Sequence, residues 1–555
     1  MTVVPLQQAL VIAADHHRRG RLAEAQTIYG RVLRKHPDNV AALEGLGAIA
    51  LAQQDFAQAQ RFIEAALRQS GPQAASLNNL GLAHRGQGRA REAAACFQDS
   101  LRLEPNAALT LMNLGQLLEQ QGQPDQAEAL LRRAAALAGA NAAPHNALGN
   151  LLMRLERFEA AEQAFRAALA LEPDSARLLF NLGNLHLRSG RPEQAVASYR
   201  AAIAADPAYF DPYHNLGHAY NELARPQEAE ACFRKGVELR PNDFNPHMSL
   251  GMTLLAQGRY TEGWREYQWR LRDTAQLPPR GFAQPAWQGE SLAGKRLLLC
   301  SEQGAGDAIM FMRYLPLLLA QGATVIVECL PPLRRLFQHL PGPERVVLKG
   351  EPLPEFDVHV APIDLPLFFG TTLDTVPAEV PYLPWPMPER DPALRLEAPS
   401  GRRIGLAWAG NPSHRHDFLR SIHDVRLLAP LFDVPGTVFY NLQYGARGED
   451  FDKAGLGHRL VRLGDERMVD FWNLAGFVRQ MDLVISVDTA VCHLAGALGV
   501  PTWTLLSFGG EWRWMTGRED TPWYPTMRLF RQQTRNDWAG VVRRVAQALR
   551  ARPGA

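Results

Sequence analysis

The sequence predicts an α-helical solenoid followed by an α/β domain made of two parallel-sheet halves. Two observations predict this architecture. A 34-residue period runs through the first half of the chain, and strand–helix–strand patterns replace it after Arg272. We place the solenoid at residues 1–273, a linker at 274–290, one α/β half at 291–395 and the other at 396–555.

The period is marked by a Leu-Gly pair, with a small residue twelve positions after the glycine. Small residues let two antiparallel helices approach closely, and glycines make the turn between them at Gly88, Gly122, Gly190 and Gly258. One such hairpin cannot bury its own apolar face, so hairpins stack into a superhelix. The pattern resembles the tetratricopeptide repeat over about eight units, and only the first unit departs from it, with Ile12-Ala13. The marker glycines are Gly47, Gly81, Gly115, Gly149, Gly183, Gly217 and Gly251.

Asparagines recur two residues before the marker glycine, at Asn79, Asn113, Asn181 and Asn215. An amide side chain offers one acceptor and two donors, which match a peptide group whatever its sequence. The row resembles the asparagine ladder of the eukaryotic O-linked N-acetylglucosamine transferases. That resemblance implies a protein or peptide acceptor on the repeats. The alternative is that these polar side chains only line a wet groove.

The second half of the chain shows the patterns of parallel α/β layers. Residues 296–300 and 324–329 are predicted strands, with a Gly-rich turn and a helix over 308–319 between them. Further strands are predicted at 403–408, 438–442, 483–487 and 500–506, and a helix begins after Asp488-Thr489-Ala490. The Pro-rich segment 377–399 separates two Rossmann-like halves. Ligands in such sheets bind at the carboxyl ends of the strands.

Several motifs in this half resemble one enzyme family. Gly304-Ala305-Gly306-Asp307 and the segment 487–495 resemble the heptosyltransferases, GT-B glycosyltransferases that are similar to glycosyltransferase family 9. Segments 408–414, 511–514 and 522–525, together with Arg420-Ser421, resemble bacterial proteins that join tetratricopeptide repeats to such a domain. The resemblance covers about residues 291–535. It implies metal-independent, inverting transfer of a hexosyl- or heptosyl-type sugar from a nucleotide sugar, with flagellin or another surface protein as a candidate acceptor.

The resemblance also assigns roles to residues. Asp307 becomes the catalytic base, because inverting transfer needs a carboxylate within reach of the acceptor hydroxyl. The donor diphosphate would bind where the second helix begins, at free amides and a positive helix end. The alternatives are a helix cap at Asp307, a second cap at Asp488-Thr489-Ala490, and a buried structural role for His493. The residues predicted to bind the donor are Gly304, Gly306, Asn411, Arg415, Arg420, Asp488, Thr489, Ala490 and His493.

The sequence departs from the heptosyltransferases in ways that affect these roles. Residues 400–425 lack the Lys that meets the donor phosphates in that family, so Arg415 and Arg420 become the cationic candidates. Asp450-Phe451-Asp452 matches an Asp-x-Asp metal motif but follows no predicted strand, and we therefore expect a surface loop and no metal. Two alternative functions remain: a repeat adaptor whose transferase domain is not catalytic, and transfer to a lipid or polysaccharide acceptor.

Composition excludes other classes of function. Lys and Arg number 59 against 57 Asp and Glu, a net charge of +2 that does not favour a general nucleic-acid binder. No run of eighteen apolar residues predicts a membrane span, and the first residues lack the features of a signal peptide. The five cysteines contain no Cys-x-x-Cys pair. We expect a cytoplasmic protein with a nucleotide-sugar substrate and no cofactor.

Overall fold

The computed structural model of the chain forms two compact units, Met1–Pro212 and Tyr213–Ala555. The structure describes residues 5–302, 304–387, 391–396, 400–413, 417–445, 447–464, 466–509 and 511–551. Each unit is described below by itself. None of the helices in the described residues is long and apolar enough to cross a membrane.

Antiparallel helix pairs build the first unit, and the marker glycines explain how closely the helices pack. A Cβ at Gly81 would lie 2.5 Å from the ring of Phe97, and one at Gly183 would lie 2.5 Å from the ring of Tyr199. Any side chain at these positions would therefore push the two helices apart. The helices are α1 (Leu6–Arg18), α2 (Leu22–Lys35), α3 (Val40–Ala52), α4 (Phe56–Ser70), α5 (Ala74–Gly86), α6 (Ala90–Leu103), α7 (Ala108–Gln120), α8 (Pro124–Ala136), α9 (Ala143–Arg154), α10 (Phe158–Leu171), α11 (Ala176–Arg188) and α12 (Pro192–Ala205).

The turn inside each hairpin repeats as regularly as the marker glycine. One residue per turn has a positive φ, and it recurs every 34 residues through both units. Only glycine adopts this conformation without steric cost, yet three of the eight positions carry a side chain. Gly20 holds the same phase, so the first hairpin follows the repeat in its turn although it lacks the Leu-Gly pair. The eight residues are Gly20, Gln54, Gly88, Gly122, Glu156, Gly190, Ala224 and Gly258.

The second unit begins with helices of the same repeat. They are α13 (Phe210–Glu222), inside which the division between the units falls, α14 (Pro226–Leu239), α15 (Phe244–Ala256) and α16 (Tyr260–Tyr267), followed by a 3₁₀ turn, Gln268–Arg272. The last hairpin belongs to the core of the α/β part. Tyr260 stacks on Trp523 with ring centroids 5.7 Å apart, and Trp264 meets Trp512 edge-on at 5.1 Å. All four rings are buried.

A buried arginine also ties this hairpin to the first sheet. Arg270 donates to both carboxylate oxygens of Asp364 at 2.7 and 2.9 Å, and to those of Glu302 at 2.8 and 3.0 Å. Asp364 is nearly as buried as Arg270 itself. A charge pair removed from water in this way is costly to break, because it would leave an uncompensated buried carboxylate.

Residues 274–290, all of them described, contain no helix or strand, but they are not detached from the sheet. Trp287 is buried and donates from its indole N–H to the carbonyl of Glu290 at 2.7 Å. Ala286 forms a bridge with His359. The segment predicted as a linker therefore packs along the edge of the first sheet.

The first sheet consists of β1 (Arg296–Leu299), β2 (Thr324–Cys329), β3 (Arg345–Leu348) and β4 (Val358–Val360), all parallel, in the order β3-β2-β1-β4. The strands predicted at 296–300 and 324–329 are confirmed. The single helix predicted over 308–319 is wrong. It is broken into α17 (Ala305–Phe311), a 3₁₀ turn (Met312–Tyr314) and α18 (Leu315–Ala320), because Pro316 has no N–H to donate to the preceding turn. The helices α19 (Arg334–Gln338) and α20 (Leu365–Phe368) follow β2 and β4.

The second sheet has five parallel strands in the order β6-β5-β7-β8-β9. Predicted strands appear within two residues of their expected bounds, whereas β9 was not predicted. The strands are β5 (Arg402–Ala407), β6 (Thr437–Asn441), β7 (Leu483–Val487), β8 (Thr502–Leu506) and β9 (Met527–Arg531). Their helices are α21 (Asp417–Arg420), α22 (Ala429–Phe432), α23 (Asp450–Lys453), α24 (Phe471–Val478), α25 (Ala490–Ala497) and α26 (Trp538–Arg550).

The Asp-x-Asp sequence is not the surface loop that we expected. It forms the short helix α23, and Phe451 between the two aspartates is buried against Trp408, with ring centroids 4.7 Å apart. Asp450 accepts a hydrogen bond from the indole N–H of Trp408 at 3.1 Å. The first aspartate is therefore part of the packing beside β5.

Candidate functional site

The predicted site residues lie at the point where strand order reverses in each sheet. In the first sheet β1 has β2 on one side and β4 on the other, and in the second sheet β5 and β7 separate the two directions. The loop that follows β1 leads into α17, and the loop that follows β7 leads into α25. In open parallel sheets this switch point is where ligands bind. The two helices also pack against each other, so the two switch points meet.

Gly306 is a point of close approach between the halves. A Cβ at Gly306 would lie 2.9 Å from Cδ2 of His493 and 3.6 Å from Cα of Ala490. A side chain at 306 would therefore separate α17 from α25. Gly304 differs, because a Cβ there would meet no atom within 4 Å. Of the two glycines predicted to bind the donor, only Gly306 is required by packing.

Asp307 does not cap its helix, so the alternative of a capping residue is wrong. The N-cap of α17 is Gly304, and Asp307 lies in the first turn. Its Oδ1 instead accepts hydrogen bonds from Arg513, from Nε at 2.9 Å and from Nη2. Both side chains are largely buried, with 17% of Asp307 and 15% of Arg513 exposed. A carboxylate held by a guanidinium fork in this way is strongly oriented.

Thr489 is the residue that caps α25. Its Oγ1 accepts from the backbone N–H of Val491 at 3.2 Å, which leaves Asp488 outside the helix. The capping alternative for this turn is therefore confirmed at Thr489 and wrong at Asp488. The half-buried carboxylate of Asp488 lies just beyond the end of β7, with Oδ1 3.9 Å from Nε2 of His493. The structure thus brings Asp488, Thr489, Ala490 and His493 together with Asp307.

Charges of both signs surround Asp488, namely Arg513, Arg420 and the carboxylate of Asp307. Burial raises the pKa of Asp488, and the charges of Arg513 and Arg420 oppose that rise. Burial also lowers the pKa of His493 well below its usual value, and the neighbouring arginines Arg513, Arg313 and Arg420 add to the lowering. His493 is therefore neutral near pH 7. Its Nδ1 lies 2.9 Å from the hydroxyl of Tyr524.

Arg420 is the sequence-predicted cation that the structure brings to this place. Its side chain is 26% exposed, and its contact with Asp417 is long, at 3.9 Å. Nε is buried without a hydrogen-bond partner in the described part of the chain. The guanidinium therefore keeps donor groups for a ligand. Arg415, the other predicted cation, lies outside the described residues.

The loop after β5 is held by Gln443. The amide oxygen of Gln443 accepts from the backbone N–H groups of Trp408 and Ala409 at 3.0 and 2.9 Å, and its NH₂ donates back to the carbonyl of Ala409. Asn411, predicted to bind the donor, is exposed on this loop. Its Oδ1 accepts from both the N–H and the hydroxyl of Ser413, so the acceptor end of the amide serves the loop.

Two charged residues at the centre of the site were not predicted. Glu511 and Arg513 stood in a quoted motif but received no role, because their partners are distant in sequence: Arg513 and Asp307 are 206 residues apart. Nη1 of Arg513 donates to Glu511. Burial raises the pKa of Glu511 to about 7, although Arg513 opposes the shift. The signal that could have found them is two charged residues within a run of tryptophans.

Three side chains of the site also resemble a partial metal-binding set. Asp488, Cys492 and His493 offer ligand atoms that all lie within 4.8 Å of one another. Arg420 and Arg513 act electrostatically on this group, and a cation there would be repelled by both. The chemistry of the surroundings favours an anion.

The asparagine row is organised in a way that the sequence did not predict. Nδ2 of Asn113 donates to Oδ1 of Asn78 at 2.9 Å, and Nδ2 of Asn181 donates to Oδ1 of Asn146 at 2.8 Å. Each bond joins one hairpin to the next. Asn113 is buried, while Asn79, Asn181 and Asn215 are partly exposed. The amides thus stabilise the stacking of hairpins and have fewer groups left for a bound peptide.

The observed class is a helical-repeat protein with an α/β part that carries a polar, charged cleft. Sequence models described as tetratricopeptide repeats match residues 16–78, 73–140, 146–210 and 187–252. The first part of the chain is therefore built from tetratricopeptide repeats, and repeats of this type indicate protein or peptide binding.

Protein FlbA of Caulobacter vibrioides (strain ATCC 19089 / CIP 103742 / CB 15) is 32% identical to this chain over 323 residues. The match covers 54% of this chain and 53% of FlbA, so the chain spans about half the length of this curated relative.

Solved structures also resemble parts of the chain. MamA is 26% identical and covers 29% of this chain and 95% of its own, with a TM-score of 0.27. PilF of Pseudomonas aeruginosa is 18% identical, and the match covers 40% of this chain and 96% of PilF, with a TM-score of 0.33. YrrB, a TPR protein with an unusual peptide-binding site, is 19% identical. The match covers 33% of this chain and 95% of YrrB, with a TM-score of 0.28.

Proposed function

We propose that this protein is a metal-independent, inverting glycosyltransferase of GT-B type that transfers a sugar from a nucleotide sugar to a protein held by the repeats. One observation carries the proposal: α17, with Asp307, meets α25, with Asp488, Thr489 and His493, at the switch points of two parallel sheets. Two facing switch points form a cleft in which a donor bound to one half would face an acceptor bound to the other.

The donor would bind on the second half of the α/β part. Its diphosphate would accept from the guanidinium of Arg420 and lie at the positive end of α25, where Thr489 already accepts from the N–H of Val491. Neutral His493 adds no charge of its own but completes the wall between the helices. Arg420 and Arg513, the two arginines that act on the half-buried Asp488, supply positive charge for an anionic ligand here.

Asp307 is the proposed base. The acceptor hydroxyl attacks the anomeric carbon as the bond from that carbon to the donor phosphate oxygen breaks. The electron pair of the broken bond leaves with the nucleoside diphosphate, and the hydroxyl proton passes to the carboxylate of Asp307. Attack from the face opposite the leaving group inverts the anomeric centre.

The acceptor assignment rests on the repeats. Tetratricopeptide repeats bind proteins or peptides, and the partly exposed Asn79, Asn181 and Asn215 supply polar groups on them. Flagellin or another surface protein would be a suitable acceptor. A second candidate is an adaptor that binds proteins through its repeats without catalysis. The contact between Asp307 and Arg513 favours it, because this carboxylate is then engaged rather than free to take a proton.

Turnover by the wild-type protein separates the two candidates, and the variant Asp307→Asn tests the role of the base. The assay follows release of nucleoside diphosphate from a panel of nucleotide sugars, with and without a protein extract of the source organism. A general base contributes about 10² to 10⁴ in rate, so turnover of Asp307→Asn should fall by roughly that factor, about 3 to 5 kcal/mol of barrier. Wild-type protein without turnover on any donor would favour the adaptor, whereas normal turnover by Asp307→Asn would overturn the assignment of Asp307 as the base.

A further inference from the structure

The least expected contact of the site is the one between the proposed base and Arg513. A guanidinium has five N–H groups in a fixed fork. In Arg513 the edge formed by Nε and Nη2 is occupied by Asp307, and Nη1 is occupied by Glu511. Both partners are carboxylates, and Asp488 also acts on the same charge. One arginine therefore serves three acidic groups in the empty site.

We propose that Arg513 is a donor-phosphate ligand that holds Asp307 while the site is empty and transfers to the donor diphosphate when it binds. The proposal rests on the proposed function and names a residue and an order of events within it. Arg513 adds a second cation to Arg420, the described candidate from residues 400–425, where Lys is absent.

Geometry limits how Arg513 moves. Its Cζ lies 4.2 Å from the centroid of the Trp512 ring, which covers one face of the guanidinium. Trp512 is itself fixed by Trp264 and by Phe311 of α17. The fork can therefore turn in its own plane more easily than it can leave the ring. Such a turn would exchange the Asp307 edge for an oxygen pair of a phosphate.

The exchange is favoured at the guanidinium of Arg513, because Asp307 carries one negative charge and accepts both hydrogen bonds through Oδ1 alone. Asp488 and Glu511, which also act on Arg513, oppose the added charge of the diphosphate. A phosphate accepts from the fork through two oxygens, as a carboxylate does, and it carries more charge. Asp307 is then released beside the acceptor hydroxyl. The base becomes available only after the donor has bound, so the donor binds before productive acceptor chemistry.

Binding of free nucleoside diphosphates tests the proposal without any need for turnover. The probes are UDP, GDP, ADP and CDP, titrated by calorimetry into the full chain. Wild-type protein should bind one of them. Arg513→Gln should weaken that binding by roughly ten- to a hundredfold, because charge-assisted hydrogen bonds are lost. Arg513→Lys keeps the charge without the fork and should fall between the two.

The double variant distinguishes an exchange from simple repulsion. Asp307→Asn frees Arg513 in advance and should tighten nucleotide binding several-fold, whereas in the Arg513→Gln background the same change should tighten it much less. Equal or greater tightening in the Arg513→Gln background means that Asp307 merely repels the phosphates, and this overturns the proposal. Affinity unchanged by Arg513→Gln also overturns it and leaves the proposed function standing.

Controls protect these conclusions. Arg518→Gln removes an arginine of the same segment whose partner, Asp520, lies at 2.6 Å outside the site, and it should bind the nucleotide like wild type. Melting curves of each variant show whether it is folded. If Arg513→Gln does not fold, Arg513→Lys takes its place in both comparisons, with a smaller expected effect. Absence of binding to wild-type protein by all four probes overturns the proposed function together with this inference.

Discussion

At the scale of single residues, three carboxylates of the site depend on one arginine. Asp307, Asp488 and Glu511 all interact with the charge of Arg513, whereas Arg420 makes only a long contact with Asp417. Sequence reasoning found three of these five. Asp307 and Asp488 stand at strand–helix turns, where chemistry is expected, and Arg420 was chosen because residues 400–425 contain no Lys. It missed Arg513 and Glu511, since a contact between residues 206 positions apart leaves no local pattern.

The same arginines lead to a prediction about metals. Asp488, Cys492 and His493 have the ligand types of a transition-metal site, but Arg420 and Arg513 oppose a cation beside them. We expect excess chelator to leave both turnover and nucleoside diphosphate affinity unchanged. Loss of turnover with chelator, followed by recovery with zinc or manganese, would contradict the prediction and assign the three residues to a metal.

At the scale of elements, the helical hairpin shows where periodicity does and does not specify structure. The marker glycines were predictable because they recur where two helices meet closely. Six of the seven approach the aromatic or aliphatic side chain sixteen residues later, as Gly81 approaches Phe97, and Gly251 approaches the backbone of Tyr267. The turn residue has a positive φ in every repeat, but three of these positions carry Gln54, Glu156 and Ala224 instead of glycine. The sequence pattern therefore does not reveal the turn. Backbone strain is tolerated at these three turns because the stacked helices fix the conformation.

Ala224 offers a direct test of that strain. It is exposed with φ +54°, so Ala224→Gly should relieve the backbone and raise the free energy of unfolding by about 1 kcal/mol. Denaturant unfolding of the full chain measures the change. The matched reverse variant is Gly190→Ala, at φ +74° with no atom within 4 Å of a new Cβ, which should lower stability by about the same amount. Two changes of the same sign would contradict this reading of the turn.

At the scale of the whole molecule, the boundary read from the sequence and the compact unit differ. The periodic pattern ends near residue 273, but the second compact unit starts at Tyr213. The period could not reveal this, because Tyr260 and Trp264 occupy ordinary repeat positions and also enter the core of the α/β part. The parallel sheets themselves were largely predictable, whereas β3 and β4, of four and three residues, were too short to carry a pattern.

Fragments test which boundary is physical. A chain of residues 213–555 should melt cooperatively. One of residues 291–555 should melt at a markedly lower temperature or fail to fold, because it exposes the surfaces that Tyr260 and Trp264 cover. Each ring contributes roughly 1.5–3 kcal/mol of burial, and Asp364 would lose the buried Arg270. Equal melting temperatures, measured by circular dichroism, would restore the boundary near residue 290.

The shared core of the last hairpin also bears on how such a chain evolves. Most hairpins contact mainly their neighbours, so whole copies of 34 residues can be gained or lost by recombination while the α/β part stays intact. The final hairpin cannot be exchanged in this way, because Trp264 and the adjoining Arg270 pack into the α/β part. Lineages of this protein should therefore vary in repeat number upstream and keep the hairpin from Phe244–Ala256 onward as an inseparable part of the sheet region. In the second half of the chain, the last repeat and the two sheets should therefore be inherited together.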